Sequence, residues 1–253
     1  MIPKIFHFIY FYPEGRRENE FSLTNYLSMK SAYALNKPSK MYFHINREPE
    51  PNVWWEKAKN LVEIKLIEPP AKVFDKDLIH SAHKSDVARI YILKELGGIY
   101  LDIDIICKKP FTDLLENKYV MGRQGLFKDR GLCNGVILSE KNAEFLEIWL
   151  DAFRKFRSKG IDKYWDEMSV KKPLYLAIKN PNLINIESYR SFHYPMFYPK
   201  HLQKLFELNI DYRKAYCHHL WENASKEKYL SKLTPEIIKT VDTTYNVIAR
   251  RFL

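Results

Sequence analysis

Cysteine is scarce in this chain: three among 253 residues, at positions 107, 133 and 217. They stand in separate segments with neither metal-ligand spacing nor the layout of a disulfide framework, so a reducing cytoplasm is the expected location. Long apolar runs are missing as well. No stretch approaches the ~20 apolar residues that a membrane-spanning helix requires. The opening MIPKIFHFIYFY is aromatic and soon meets charge, unlike a signal peptide, and reads as a first strand. Internal repeats, low-complexity tracts and long linkers are absent too, which predicts one compact domain over residues 1–253. With 46% hydrophobic and 28% charged residues, disordered and fibrous classes are disfavoured.

Positive charge is what the chain has in excess, a net +10. Its lysines and arginines are scattered, with only short clusters such as Lys108-Lys109 and Lys171-Lys172. No helix-turn-helix, RNP or zinc-finger pattern accompanies them, so no nucleic-acid partner is expected. Two readings of the charge stay open. One is an ordinary solvated lysine-rich surface. The other, given 15% aromatics, is a peripheral position on the inner face of an anionic membrane, where a lipid-linked acceptor is met.

Apolar periodicity predicts strands at Ile2–Tyr10, Met41–Ile45 and Val62–Ile67, with helices at Phe21–Leu35, Val53–Asn60 and Ser81–Leu96 between and after them. Such alternation indicates an α/β fold with a mostly parallel sheet. After Pro110 strands are expected near Tyr119–Met121, Leu132–Leu138 and Ala215–His218. Helices are expected near Asn142–Arg157, Tyr164–Lys179 and Pro235–Arg250.

The most informative segment is Ser81–Cys107, SAHKSDVARIYILKELGGIYLDIDIIC. Val87, Ile90, Tyr91 and Leu93 fall roughly on one helical stripe, and Gly97-Gly98 suits an αL helix stop. The apolar strand that follows ends in Asp102-x-Asp104. Two acids one apart on a strand ordinarily share one solvated face. Here Ile99, Leu101, Ile103, Ile105 and Ile106 imply deep burial, where unpaired carboxylates are costly. A divalent cation, which takes oxygen ligands and leaves room for phosphates, is the economical compensation.

The string from Lys84 to Asp104, K-S-D-x-x-R-I-x-x-L-x-x-x-G-G-I-Y-L-D-I-D, resembles the core of the sugar-binding-region glycosyltransferases that carry a DXD motif. That group includes yeast Golgi α-1,6-mannosyltransferases, the lactosylceramide α-1,4-galactosyltransferase and, more distantly, the clostridial glucosylating toxins. The resemblance implies a GT-A type, Rossmann-like mixed sheet flanked by helices, with a helical C-terminal part. It also implies a nucleotide-sugar donor, Mn2+ or Mg2+, and transfer with retention. On this reading residues 1–110 form the nucleotide-sugar-binding half, and 111–253 the acceptor half with a late metal and diphosphate element. The membrane anchor of the Golgi relatives is not expected here.

The same resemblance implies roles for particular residues. Asp86 and Arg89, three apart on one helix face, contact the donor sugar hydroxyls instead of forming a mere surface ion pair. Asp102 and Asp104 serve the metal, Asp104 directly and Asp102 partly through the ribose or a water. A late H-x-W-x-x-x-S element is matched by His219, Trp221 and Ser225. It implies His219 as a further metal ligand, with Trp221 and Ser225 as neutral donors near the diphosphate; His218 competes if the register is off by one. The relatives' further aromatic after the serine is absent. Tyr10, in I-P-K-I-F-H-F-I-Y, replaces the aromatic that stacks on the nucleobase, and His7 reads as a satisfied core histidine. Asn134, in L-C-N-G-V-I-L, matches an Asn-small pair lining the donor or acceptor side. Lys172-Pro173 replaces a Gly-Pro pair, which implies a different acceptor side.

The function expected from these parts is metal-dependent, retaining transfer of a hexose to a saccharide or lipid-linked saccharide acceptor. The donor is UDP-linked in preference to GDP-linked, and the product is a polysaccharide, lipopolysaccharide or glycan. The alternatives are a toxin-like transferase acting on a protein and a sugar-nucleotide binding module without turnover.

Overall fold

A computed structural model of the chain describes residues 1–12, 21–125 and 130–253. Strand β1 (Ile5–Tyr10) leads into helix α1 (Leu23–Asn36), followed by β2 (Lys40–Ile45), α2 (Val53–Ala58) and β3 (Glu63–Leu66). A small hairpin, β4 (Lys72–Val73) with β5 (Lys76–Asp77), precedes α3 (Ser81–Leu96) and β6 (Gly98–Leu101). Next come β7 (Ile105–Cys107), β8 (Tyr119–Arg123), β9 (Leu132–Ser139), α4 (Glu144–Ala152), α5 (Lys172–Lys179) and β10 (Asn185–Glu187). The remainder is mainly helical: α6 (Tyr189–Phe192), α7 (Pro199–Phe206), strand β11 (Cys217–His219), α8 (Glu222–Ser225), α9 (Pro235–Thr240) and α10 (Thr244–Ala249).

Seven strands form one mixed sheet in the order β10-β8-β9-β6-β1-β2-β3. Only β9 runs against the others, pairing antiparallel with both β6 and β8. Alternation along the central strands feeds a core on each face. Phe6 and Phe8 of β1, with Ile99 and Leu101 of β6, join the core beneath α1. Ile9 and Tyr100 point the other way, onto Val87, Ile90 and Leu93 of α3 and Trp149 of α4. With both faces covered, the strands are continuously apolar, as parallel central strands must be. Each fully buried Phe or Leu contributes about 1.5–3 kcal/mol. The expected α/β mixed sheet flanked by helices, with a helical C-terminal part, is therefore what forms.

The predicted bounds of α3 match the observed ones, because its stops are local. His80 accepts from the Ala82 amide at the start, and glycine ends the helix. Gly97 does so with φ 64° and ψ −167°, a conformation beyond αL that essentially only glycine adopts. A Cβ on Gly98 would lie 2.3 Å from the Ile5 carbonyl oxygen. Tyr91 departs from the expected stripe and is exposed.

Two predicted helices are broken. The Pro235–Arg250 helix divides because Val241 is extended and the Thr243 side chain accepts from the Asn246 amide, capping a new helix. In the Tyr164–Lys179 segment a π-turn, Glu167–Lys171, leads into α5, whose Pro173 sits in the first turn where no amide is needed. Strand β10 and helices α6, α7 and α8 carry too short or irregular a pattern to be read from sequence.

Candidate active site

The strand expected to end in Asp-x-Asp stops at Leu101, just before the first aspartate. The Asp102 amide still donates to the Gly135 carbonyl of β9 (2.9 Å), after which the chain turns, with the Ile105 amide donating to the Asp102 carbonyl (3.0 Å). Asp102 and Asp104 thus sit in a tight turn at the C-terminal edge of the sheet, where ligands of open α/β sheets gather. Their backbone does not alternate as a strand would, so the shared solvated face of a D-x-D strand does not arise. Ile99, Leu101, Ile103, Ile105 and Ile106 are all buried around them.

Beyond the turn, β7 pairs antiparallel with β11, and the register sets His219 opposite Ile105. The His219 Nε2 lies 3.2 Å from Asp104 Oδ1, while the Glu222 amide donates to Asp104 Oδ2 (2.8 Å). His218 occupies the other face of β11, with its Nδ1 3.0 Å from the Tyr194 carbonyl oxygen. Burial alone would raise the Asp104 carboxyl, but His219 and the Glu222 amide hold it below the usual range. The same partnership outweighs burial at His219 and holds the imidazole well above its ordinary value.

Asp102 is the more open of the pair, with 26% of its side chain exposed. Its Oδ1 accepts from the Tyr100 hydroxyl (2.5 Å) and lies 3.3 Å from Arg89 Nη1. The Arg89 guanidinium is almost wholly buried, 4.3 Å from the Tyr100 ring centre. It donates to the Asn134 carbonyl (2.8 Å) and to the Ser85 carbonyl and hydroxyl (3.2 Å each), and lies 3.4 Å from Asp86 Oδ1. The Asn134 side-chain amide donates to the same Asp86 oxygen (2.7 Å). Burial pushes Asp86 above the usual carboxylate range despite these partners. Sequence position thus translates into one network: Asp86, Arg89 and Asn134 join Asp102, which neighbours Asp104 and His219.

Oxygen and nitrogen ligand atoms of Asp102, Asp104 and His219 lie within 4.8 Å of one another. Gly135 forms the wall beside them, and a Cβ there would come 2.7 Å from Asp102 Oδ2 and 3.3 Å from His219 Cε1. Two carboxylates and one imidazole around a space kept clear by a glycine fit a hard divalent cation. Tyr10 lies farther along the same sheet edge, at the end of β1, edge-on to Tyr12 at 4.6 Å. The Trp221 ring stacks on His219 at 3.9 Å, and its indole N–H donates to the Pro195 carbonyl (2.8 Å). The Ser225 hydroxyl is fully buried and donates to the Leu220 carbonyl (2.7 Å). In this arrangement both hydrogens are engaged within the protein. His7 is a core histidine, bonded to the Gly97 carbonyl (2.9 Å) and His44 (3.2 Å).

Several neighbours carried no readable signal. Tyr100 and Gly135 sit inside apolar strand runs and look like packing. Cys133 and His193, which the chain separates widely, reach His219 in space, so one of the three cysteines does join a cluster of ligand-type side chains despite their spacing. All three cysteines are buried and free. Burial would raise the Cys133 thiol, but the His193 and His219 rings draw it down to about 6.

Comparison with known proteins identifies the family. The family described as "Glycosyltransferase sugar-binding region containing DXD motif" matches residues 22–121, from α1 to β8. Glucan organizing enzyme 1 of Cryptococcus neoformans var. grubii is 35% identical over 266 residues, covering 100% of this chain and 71% of that protein. Inositol phosphoceramide mannosyltransferase 1 of Schizosaccharomyces pombe is 49% identical over 37 residues, 15% of this chain and 12% of its own length. Among solved structures, a galactosyltransferase in complex with donor and acceptor sugar analogues overlaps 98% of this chain and 96% of its own, at 13% identity and a TM-score of 0.46. With sequence identity sustained over the whole chain and the Asp86–Asp104 network in place, the protein belongs to the DXD-containing sugar-binding-region family and is a glycosyltransferase.

Proposed function

We propose that the enzyme transfers a hexosyl group, with retention, from a nucleotide sugar to a saccharide acceptor in glycan or polysaccharide synthesis, and that it requires a divalent cation. A UDP-linked donor is favoured over a GDP-linked one. The observation that carries the reading is the meeting of Asp102, Asp104 and His219 beside Asp86, Arg89 and Asn134 at one sheet edge. Asp102, Asp104 and His219 would hold the cation, Mn2+ or Mg2+, which when bound supplies Lewis-acid stabilisation to a departing diphosphate.

The chain's own residues account for orientation. Asp86 is the carboxylate placed to receive sugar hydroxyls, and Asn134 fixes its orientation. Arg89 spends its donors on Ser85, Asn134 and the two aspartates, which supports a positioning role between sugar and metal sites. Trp221, stacked on His219, keeps that imidazole facing Asp104. No carboxylate is assigned as a nucleophile, so same-face attack, with the leaving phosphate as base, is the favoured route for retention.

The test is a donor screen. The purified chain with Mn2+ is incubated with UDP- and GDP-hexoses, and released nucleoside diphosphate is measured. Slow hydrolysis of a UDP-hexose by the parent, lost in Asp104→Asn with an unchanged circular dichroism spectrum, is the expected result. Failure to hydrolyse any donor, or undiminished turnover in the variant, would overturn the reading.

A further inference from the structure

His219 also belongs to a second group of ligand-type side chains. Cys133 comes from β9, one residue before Asn134; His193 follows α6; His219 ends β11. All three are buried, with His193 wholly inaccessible. Their ligand atoms, one sulfur and two ring nitrogens, lie within 4.8 Å of one another.

The hydrogen-bonding account of this cluster does not close. Among the described residues, neither ring nitrogen of His193 has a hydrogen-bond partner, and neither does Nδ1 of His219. Buried polar atoms are normally satisfied, and each exception calls for an explanation. The Cys133 sulfur is the polar group that both rings share, outside hydrogen-bond geometry for these nitrogens, and the other surroundings do not relieve the shortfall. Around His193 stand Phe192 at 5.9 Å, Trp221 at 6.3 Å and His219 at 6.0 Å between ring centres, and a Cβ on Gly122 would come 3.4 Å from its Nε2.

The donor set differs in kind from the aspartate pair. A thiolate and two imidazoles suit a borderline-soft cation, whereas carboxylates suit Mg2+ or Mn2+. Three protein ligands with an open fourth position form a familiar zinc arrangement, with Zn–S about 2.3 Å and Zn–N about 2.0 Å. Tetrahedral bonds of that length separate ligand atoms by about 3.5 Å, so closing this cluster requires movements on the order of an ångström. We propose that Cys133, His193 and His219 form a binding site for a thiophilic divalent cation, Zn2+, separate from the Asp102–Asp104 site but sharing His219 with it. Binding takes Cys133 as its thiolate and displaces a ring proton of His219 to solvent, freeing that nitrogen to coordinate. The inference does not depend on the proposed transfer reaction, since it concerns binding alone.

Co2+ is the probe. The full chain, treated with chelator and then dialysed, is titrated with Co2+ while its absorption is followed. One equivalent is expected to produce a thiolate-to-cobalt charge-transfer band in the near ultraviolet, which excess Zn2+ abolishes. Cys133→Ser, nearly the same size, should remove the band, and His193→Ala, which deletes a ligand outright, should weaken binding by at least the about 10- to 100-fold that loss of a mere supporting group causes. Asp104→Asn should keep the band, separating this site from the aspartate pair. X-ray absorption of the zinc-loaded parent gives a check that needs no variant: one sulfur and two imidazoles around the metal. A parent without the band, a band that persists in Cys133→Ser, or a zinc shell lacking sulfur would each overturn the assignment.

Discussion

Gly135→Ala isolates the shape of the candidate cation site from the stability of the fold. The new Cβ would lie 2.7 Å from Asp102 Oδ2, while ordinary contact begins at 3.4 Å, so the carboxylate must retreat by about 0.7 Å. It cannot do so freely, because Tyr100 and Arg89 hold Oδ1 and the Gly135 carbonyl holds the Asp102 amide. Oδ2 is therefore swung away from Asp104 and His219. Gly135 has no positive φ, so alanine adopts its backbone without strain. Reduced unfolded-state freedom adds about 0.4–1 kcal/mol, which offsets part of the local clash. The melting temperature should stay within roughly 4 °C of the parent. Misplacement of a catalytic group by less than an ångström should lower kcat/KM on the order of 10²-fold. Mn2+ affinity, read from the paramagnetic resonance of free Mn2+, should fall in parallel. Parental Mn2+ affinity together with parental donor hydrolysis would refute the reasoning. A collapse in melting temperature would refute it differently, by showing that Gly135 serves the fold and not the site.

Three further outcomes are expected. Gly98→Ala places a Cβ 2.3 Å from a backbone oxygen at φ +110°, so it should destabilise by more than about 4 kcal/mol in urea titration; a near-parental midpoint would contradict the packing described. Arg89→Met leaves Asp86 buried beside an apolar chain and should cost about 3–5 kcal/mol, with an additional Asp86→Asn change recovering part of the loss; no recovery would show that charge pairing is not the cause. Burial lowers His7 to about 4 and His44 to about 3, with the carbonyl of Gly97 opposing at His7 and the charges of His7 and Lys65 assisting at His44. Because both folded values lie below the unfolded 6.5, stability is greatest above that pH and falls as pH drops through the window from 6.5 to about 4. His7 alone should cost on the order of 2 kcal/mol by about pH 5, and equal denaturant midpoints at about pH 7.5 and about pH 5 would rule this out.

Much of the donor half was readable because its signals are short-range. Helix α3 has its bounds in a histidine cap and two glycines, and the strands at Lys40–Ile45 and Leu132–Ser139 have theirs in unbroken apolar runs. The C-terminal part was less readable, since α9 and α10 are divided by a threonine cap that competes with helical periodicity. At the site, Asp86, Arg89, Asp102 and Asp104 lie within one helix-turn-strand unit, and the resemblance carried by that unit, more than spacing alone, grouped them. Tyr100 could not, because a tyrosine in a buried strand reads as core whether or not its hydroxyl meets a carboxylate.

By itself the sequence determined the α/β alternation, the helix that presents Asp86 and Arg89, and the glycine stop that delivers Asp102 and Asp104 to a sheet edge. Each of these depends on residues a few positions apart, where backbone sterics and apolar period act directly. Only the tertiary structure decided that the two aspartates occupy a turn, that His219 faces them while His218 faces Tyr194, and that Cys133 meets His193. The reason is register. The pairing of β11 with β7 joins segments more than 100 residues apart, and a slip of one residue would exchange the faces of the two histidines. That choice is made by the packing of whole strands, which no local pattern records.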